Sequence, residues 1–290
     1  MITPFSHFKT PTDILSFLDD DNKIIFPVCE NVLSVANKCI DPFENDIFIY
    51  DSNQAVVVGL FVKQVMLYKD YIAAYKSNKS YLCFLYYRVI YESFIKMQYL
   101  IKHGADAQKA YRLYSYKNRY DFYKSHLSDE NGYIKVRNDK FLQDLSDDGF
   151  EMMDLDGMHK SFDGKYFKQL VEEFNEGNFY TSIYGIGSDS IHSDWGDIRQ
   201  NYLQKTLDND YVVYQSSKKT IVHFRMLIPL ADMLIDSCDK FIDWNKCIDS
   251  CLDVLLSYKP ILYEMKRMCN LIMSTVFYDY QNSPDKLMYE

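Results

Sequence analysis

The sequence predicts an all-α fold, a multi-helix bundle with shorter helices at its periphery. Glycine (10) and proline (7) are scarce among 290 residues, too few for the many tight turns of a β-sandwich or barrel. Long segments carry apolar residues at helical spacing and are separated by short breaks. Start and stop signals for helices stand where those segments begin and end.

Thr10-Pro11-Thr12-Asp13 opens the first helix: threonine can cap, proline suits the first helical position, and the carboxylate favours the first turn. A second helix is expected from Pro27 to about Cys39, and residues 41–50 read as irregular. From Asp51 to about Ser77 the pattern is helical and strongly apolar, ending at the break Ser77-Asn78-Lys79-Ser80. The next helix spans Tyr81 to His103, with Gly104 as a left-handed cap. Another runs from Ala105 to about Leu127, before the turn signal Asp129-Glu130-Asn131-Gly132. Three long helices with such short connections should pack as antiparallel neighbours. Residues 133–176 are more polar, contain Gly149, Gly157 and Gly164, and read as shorter peripheral helices. A helix returns over Asn178 to Trp195, Tyr211-Val212-Val213-Tyr214 suits a short strand, and helices follow over 217–242, 244–256 and 259–278. Pro229 should kink the first of these three. The expected plan is an N-terminal helical pair (1–50) packed on a bundle core (51–205), with a C-terminal helical layer of the same domain (206–290).

The formal net charge is −9. A non-specific nucleic-acid binder carries a basic excess, because phosphate contacts dominate its affinity. Here only a local basic patch, Lys117, Arg119 and Lys124, offers one. Seven cysteines, at 29, 39, 83, 238, 247, 251 and 269, form no C-x-x-C pair and read as reduced small hydrophobes in a cytoplasmic protein. The N-terminus lacks the pattern of a secretory signal. No uncharged apolar run reaches the roughly 18 residues a membrane helix needs; Ala55 to Val62 is stopped by Lys63. Phosphate-loop, dinucleotide, nucleophile-elbow and zinc-protease motifs are all missing, as are paired Glu-x-x-His sequences. Neither a cofactor nor a metal is therefore expected.

Two segments could carry chemistry. In helix 81–103, Arg88 and Glu92 are four residues apart and can pair on one face. A buried pair would mark a site; a solvated edge is equally consistent, since Lys96 and His103 fall near the same stripe. In helix 178–195, Tyr180, Tyr184, Ser188 and His192 recur every four residues on one face. Gly185 and Gly187 each lower helix propensity there by about 1 kcal/mol, which suggests close packing or a backbone approached by a ligand. His192, beside Asp189 and Asp194, could act as general acid or base or serve as a structural histidine. The catalytic candidates are thus Arg88, Glu92, Ser188 and His192, and the binding candidates include Tyr180, Tyr184 and Asp189.

The R-x-x-x-E helix (Arg88 to Glu92, with Tyr99-Leu100) followed by the Tyr180, Tyr184, Ser188, His192 helix resembles an uncharacterised all-helical bacterial domain family, over about residues 55–205. The resemblance implies that Arg88, Glu92, Ser188 and His192 converge on one pocket, and it supplies no activity. A fainter likeness is to the HEPN group of helical ribonucleases, whose signature is Arg, four to six residues, then His. Arg119 and His126 have that spacing, although Tyr120 stands where a polar residue is usual. That resemblance implies a histidine polarising a ribose hydroxyl and an arginine holding the phosphate.

Two functions follow as expectations. One is an HEPN-like, metal-independent ribonuclease or effector of a toxin or phage-defence kind, acting on RNA. The other is a non-catalytic helical module that binds a protein or small ligand, with Arg88–Glu92 and Ser188–His192 as a structural polar network. A homodimer is compatible with either.

Overall fold

The computed structural model describes residues 5–18, 20–41, 48–129, 131–159, 161–174, 198, 203–207, 210–213, 227–248 and 253–282. Numbered through these residues, the helices are α1 (Pro11–Ile14), α2 (Ile25–Ile40), α3 (Gln54–Lys76), α4 (Ser80–Ser115), α5 (Lys117–Ser125), α6 (Gly132–Asp147), α7 (Phe167–Glu172), α8 (Leu227–Ile248), α9 (Asp253–Leu256) and α10 (Lys259–Asn282). Short 3₁₀ turns occupy Leu15–Phe17, Met152–Leu155 and Phe162–Gly164. The protein is an all-α multi-helix arrangement. Its β-structure, among the described residues, is one antiparallel ribbon pairing β1 (Leu203–Lys205) with β2 (Tyr211–Val213), the segment whose composition suggests a strand. None of the helices is long and apolar enough, over the described residues, to cross a membrane.

The chain divides into two compact units, one of residues 1–46, 60–95 and 178–290, the other of 47–59 and 96–177. In the first unit α2, α8 and α10 pack on one another. Each turns a stripe at helical spacing inward: Val28, Val32, Val35, Ala36 and Cys39 from α2; Leu230, Leu234, Cys238 and Phe241 from α8; Leu262, Met265, Cys269 and Ile272 from α10. Phe61 of α3 stacks on Phe241 with ring centroids 4.3 Å apart. The buried Ser237 hydroxyl donates to Gln64 Oε1 at 2.6 Å, so that two interior polar groups satisfy each other. At the N-terminus, Asp13 accepts the backbone N–H groups of Lys9 and Thr10, both at 2.7 Å, as its place in the first turn predicts. The Arg267 guanidinium then holds this segment against α10 by donating to the carbonyls of Phe8 (2.6 Å) and Phe5 (3.0 Å).

The second unit has a small core of its own: Tyr116, Tyr120, Phe141, Leu145, Phe150 and Leu155. Phe141 and Leu145 lie one turn apart on α6, which is 16 residues long. The reading of 133–176 as short peripheral helices therefore misses a longer helix, because only these two of its positions are deeply buried and its other apolar residues, such as Tyr133 and Val136, are exposed. Arg112 crosses this unit, donating to Asn53 Oδ1 (3.1 Å) and the Asp148 carbonyl (2.7 Å) while its guanidinium lies over the Phe150 ring.

Two further boundaries differ from expectation. The expected break at residue 243 is absent, because α8 runs continuously from Leu227 to Ile248. Pro229 is the third residue of that range, so the turn it would bend lies outside the described residues. At Gly104 the helix does not stop but kinks. The residue takes φ 70° and ψ −153°, and the helix resumes to Ser115. That conformation lies outside the left-handed cap region, in territory open essentially only to glycine. The buried Gln108 side chain donates to the Leu100 carbonyl at 3.1 Å and stitches the two sides of the kink together.

Substituting Gly104 and Gly59, both in helix interiors, should therefore have opposite effects. A Cβ at either position meets open space, so backbone conformation alone decides. Gly104→Ala is expected to lower unfolding free energy by roughly 1–3 kcal/mol, and Gly59→Ala in α3 to raise it by about 0.5–1 kcal/mol. Urea midpoints measure both. A Gly104 variant as stable as the parent would show that the kink is not fixed by glycine.

Candidate functional site

Arg88 and Glu92 lie one turn apart on α4, both half-buried, and both engage interaction partners. Tyr180, Tyr184, Ser188, Asp189 and His192 fall outside the described residues. Arg119 and His126 are both on or beside α5. The Arg119 guanidinium bonds Asp144 Oδ2 of α6 at 2.8 Å and lies over the rings of Tyr116 and Phe141. Its hydrogen bond, the first of several interactions, holds the Asp144 carboxyl below the usual carboxylate range. His126 follows the end of α5, with its ring stacked on Phe122 at 4.1 Å and its Nδ1 at 2.9 Å from the Phe122 carbonyl. A carbonyl only accepts, so Nδ1 carries the proton and Nε2 is the basic nitrogen.

The second unit also contains an open cleft of about 300 Å³, at the small end of ligand-binding cavities. Its apolar wall comes from α4 (Ala110, Leu113, Tyr114) and Met158; Asp154, Asp156, His159, Ser161 and Asp163 supply the polar groups. Backbone turns at Gly157, Asp163 and Gly164, all with positive φ, fold the 154–164 segment around it. Asp163 is a non-glycine residue at φ 50°, a conformation that aspartate tolerates better than most. The buried Ser161 hydroxyl lies 2.6 Å from His159 Nδ1, and the Ser161 backbone N–H donates to the same nitrogen at 3.1 Å. Nδ1 is thus an acceptor, and neutral His159 carries its proton on Nε2.

Behind the cleft a charged cluster fixes the segment to α4. The Tyr99 hydroxyl donates to Asp163 and is itself contacted by Lys165 Nζ at 3.1 Å. Lys165 reaches on to Glu173 Oε2 at 3.0 Å. The other oxygen of Glu173 receives Lys102 at 2.9 Å and His103 Nε2 at 2.5 Å. Tyr99 and His103 are one turn apart with ring centroids 4.2 Å from each other, just before the Gly104 kink. Burial opposes ionisation of Glu173, yet hydrogen bonds from Lys102, His103 and Lys165 outweigh it and bring its pKa down to about 2. The Tyr99 phenol is pushed up by burial and by its bond to Asp163, and the Lys165 ammonium is raised by its bonds to Tyr99 and Glu173.

Among the described residues no group of three or more His, Cys, Asp or Glu side chains is placed to hold a metal ion. The cleft can hold a small polar ligand by hydrogen bonds and charge. Sequence reasoning missed it because its polar residues follow no helical period. The available signal was the run His159, Ser161, Asp163, Gly164, Lys165, a turn rich in groups that bond and titrate.

Glu173 makes a pH dependence predictable. Its pKa falls from 4.5 to about 2 on folding, so its contribution is complete above about pH 4.5 and lost as pH falls towards 2. The stability gap between the parent and Glu173→Gln should therefore narrow over that window, read by denaturant midpoints at pH 7, 4.5 and 2.5. A gap that stays constant would place the carboxylate outside the network.

Compared with known proteins, residues 54–211 match the model of a family described as "Family of unknown function (DUF5677)". That range takes in the Arg88–Glu92 helix and the 178–195 segment and agrees with the 55–205 span of the resemblance. The HEPN likeness gains no support from this match and rests on Arg119 and His126 alone. No curated protein and no solved structure matches the chain. Because the match covers more than half of the 290 residues, the chain belongs to this uncharacterised family.

Proposed function

We propose that the protein is a non-catalytic helical module that binds a small ligand in the cleft of its second unit. The cleft itself carries this reading: an open, partly aromatic cavity whose polar groups are fixed by internal hydrogen bonds before any ligand arrives. Preorganisation of that kind lowers the entropic cost of binding. On this reading Arg88–Glu92 and Ser188–His192 serve as a structural polar network. The test is a fragment set screened by ligand-observed NMR against the parent and Ala110→Trp, which fills the cleft from its α4 wall. Fragments that bind the parent and lose contact with the variant support the reading. No binding, or binding indifferent to Ala110→Trp, overturns it.

The second reading, a metal-independent HEPN-like ribonuclease or effector in toxin or phage-defence systems, is favoured by one observation. His126 presents a basic Nε2, and the Arg137 guanidinium lies 3.7 Å over the Phe122 ring on which His126 stacks. Against it, Arg119 would have to leave Asp144 to hold a phosphate. On this reading a varied RNA pool is cleaved in the presence of chelator. His126→Ala would then lower the rate by about 10²–10⁴-fold, whereas a site at Ser188 and His192 would respond to His192→Ala instead. An untouched RNA pool, with and without divalent metal, ends the ribonuclease reading.

A further inference from the structure

Among the described residues the polar wall of the cleft is one-sided in charge: three of its lining side chains are carboxylates (Asp154, Asp156 and Asp163), and none is a lysine or arginine. Each carboxylate is held through one oxygen by an internal donor. Asp154 accepts the Glu151 backbone N–H at 2.8 Å, Asp156 accepts the Tyr120 hydroxyl, and Asp163 accepts the Tyr99 hydroxyl. The three carboxylates are exposed, and no donor among the described residues meets the second oxygen of any of them. A carboxylate pinned at one oxygen keeps lone pairs on the other in a fixed direction, which suits a charged N–H donor. Tyr114, an aromatic residue of a kind that attracts cations, also lines the α4 wall. Lys165, a cation of the adjoining cluster, bonds Tyr99 and Glu173.

We infer that the ligand of this cleft is a small organic cation carrying more than one amine, of the polyamine type. The inference rests on the proposed function and names its ligand class. The ammonium groups meet Asp154, Asp156 and Asp163, and the methylene chain lies along Leu113, Tyr114 and Met158. The cavity volume of about 300 Å³ suits a ligand of this size and is too small for a folded partner. His159 lines the same cavity, and a protonated imidazole there would oppose the ligand.

The test is calorimetric titration of the full chain with spermidine at pH 8, where histidine ordinarily carries no charge. Glutarate and an uncharged diol of similar length are run beside it. Spermidine should bind at one site, and Asp156→Asn/Asp163→Asn should weaken it by about tenfold or more. Asparagine keeps the oxygen that accepts from Tyr120 or Tyr99 and tolerates the Asp163 backbone, so the variant retains the local fold; circular dichroism and an unchanged urea midpoint confirm it. Equal weakening by magnesium and by sodium at matched ionic strength leaves the assignment standing. Spermidine binding that ignores the two substitutions, or that magnesium abolishes at matched ionic strength, is counter-ion association with an acidic chain and overturns it. If glutarate or the diol binds instead, and Ala110→Trp removes that binding, the cleft is a ligand site and only the cationic assignment fails. If no ligand of any charge responds to Ala110→Trp, both fail together.

Discussion

One carboxylate, Glu173, organises the second unit's loop-rich edge. It receives Lys102 and His103 from α4 and Lys165 from the turn that precedes α7. Its side chain is only 19% exposed, so these pairs are screened less than surface ones. A lone surface ion pair is worth little, but here one acceptor is shared by three donors on two segments. Removing it would leave a set of like charges facing one another. The cleft depends on this arrangement, because Lys165 continues to Tyr99 and Tyr99 to Asp163 on the cleft wall.

Tyrosine is the recurring device that turns apolar packing into polar placement. Tyr99, Tyr116 and Tyr120 bury their rings in the second unit and donate their hydroxyls to Asp163, Asp148 and Asp156 respectively. An aromatic ring supplies the buried area, and its hydroxyl reaches out of the core to a carboxylate on the next segment. Phe150 and Phe162 extend the same packing: Arg112 lies over the Phe150 ring, and Tyr99 and Tyr111 meet Phe162 edge-on at 5.5 and 5.3 Å. The segment from Asp148 to Asp163 therefore needs little helix of its own. It is tied down from α4 and α5 by side chains whose backbones are already fixed.

The helical fold was legible because apolar periodicity and end signals report directly on α2, α3, α4, α8 and α10. Gly104 was read as a left-handed cap ending its helix; its φ is positive, but the helix kinks there and continues to Ser115. Its ψ of −153° was not readable, since a helix that stops at a glycine and one that kinks there have the same local sequence. The importance of α6 was hidden because Phe141 and Leu145 bury a narrow stripe, while its other apolar residues, such as Tyr133 and Val136, face solvent and blur the pattern. The cleft was less legible still. Asp154, Asp156, His159 and Asp163 are polar residues in a turn-rich segment, and such residues more often face solvent than form a wall. What makes them a wall is contact with Tyr99 and Tyr120, which are 64 and 36 residues away in the chain, and no local pattern reports that. Ion pairing was similarly half-visible: Arg119 stands out in the sequence as a phosphate ligand, and its partner Asp144, on another helix, does not.

His126 and His159 show how position, rather than residue type, decides what an imidazole can do. His126 Nδ1 faces a backbone carbonyl, so Nε2 is left to accept a proton. His159 Nδ1 accepts from Ser161 twice, through its hydroxyl and its backbone N–H, so Nε2 is left as a donor. The first arrangement suits a general base, and the second leaves His159 with Nε2–H as a hydrogen-bond donor. Ser161 is likewise bonded to a histidine yet poorly arranged as a nucleophile. Its partner lies two residues away, and the same nitrogen is occupied by the backbone N–H of Ser161 itself, so the pair is a local turn. The cleft is thereby built from polar groups held in place by local hydrogen bonds. That is the chemistry of recognition, and it sets the cleft apart from Arg119 and His126, on which the ribonuclease likeness rests.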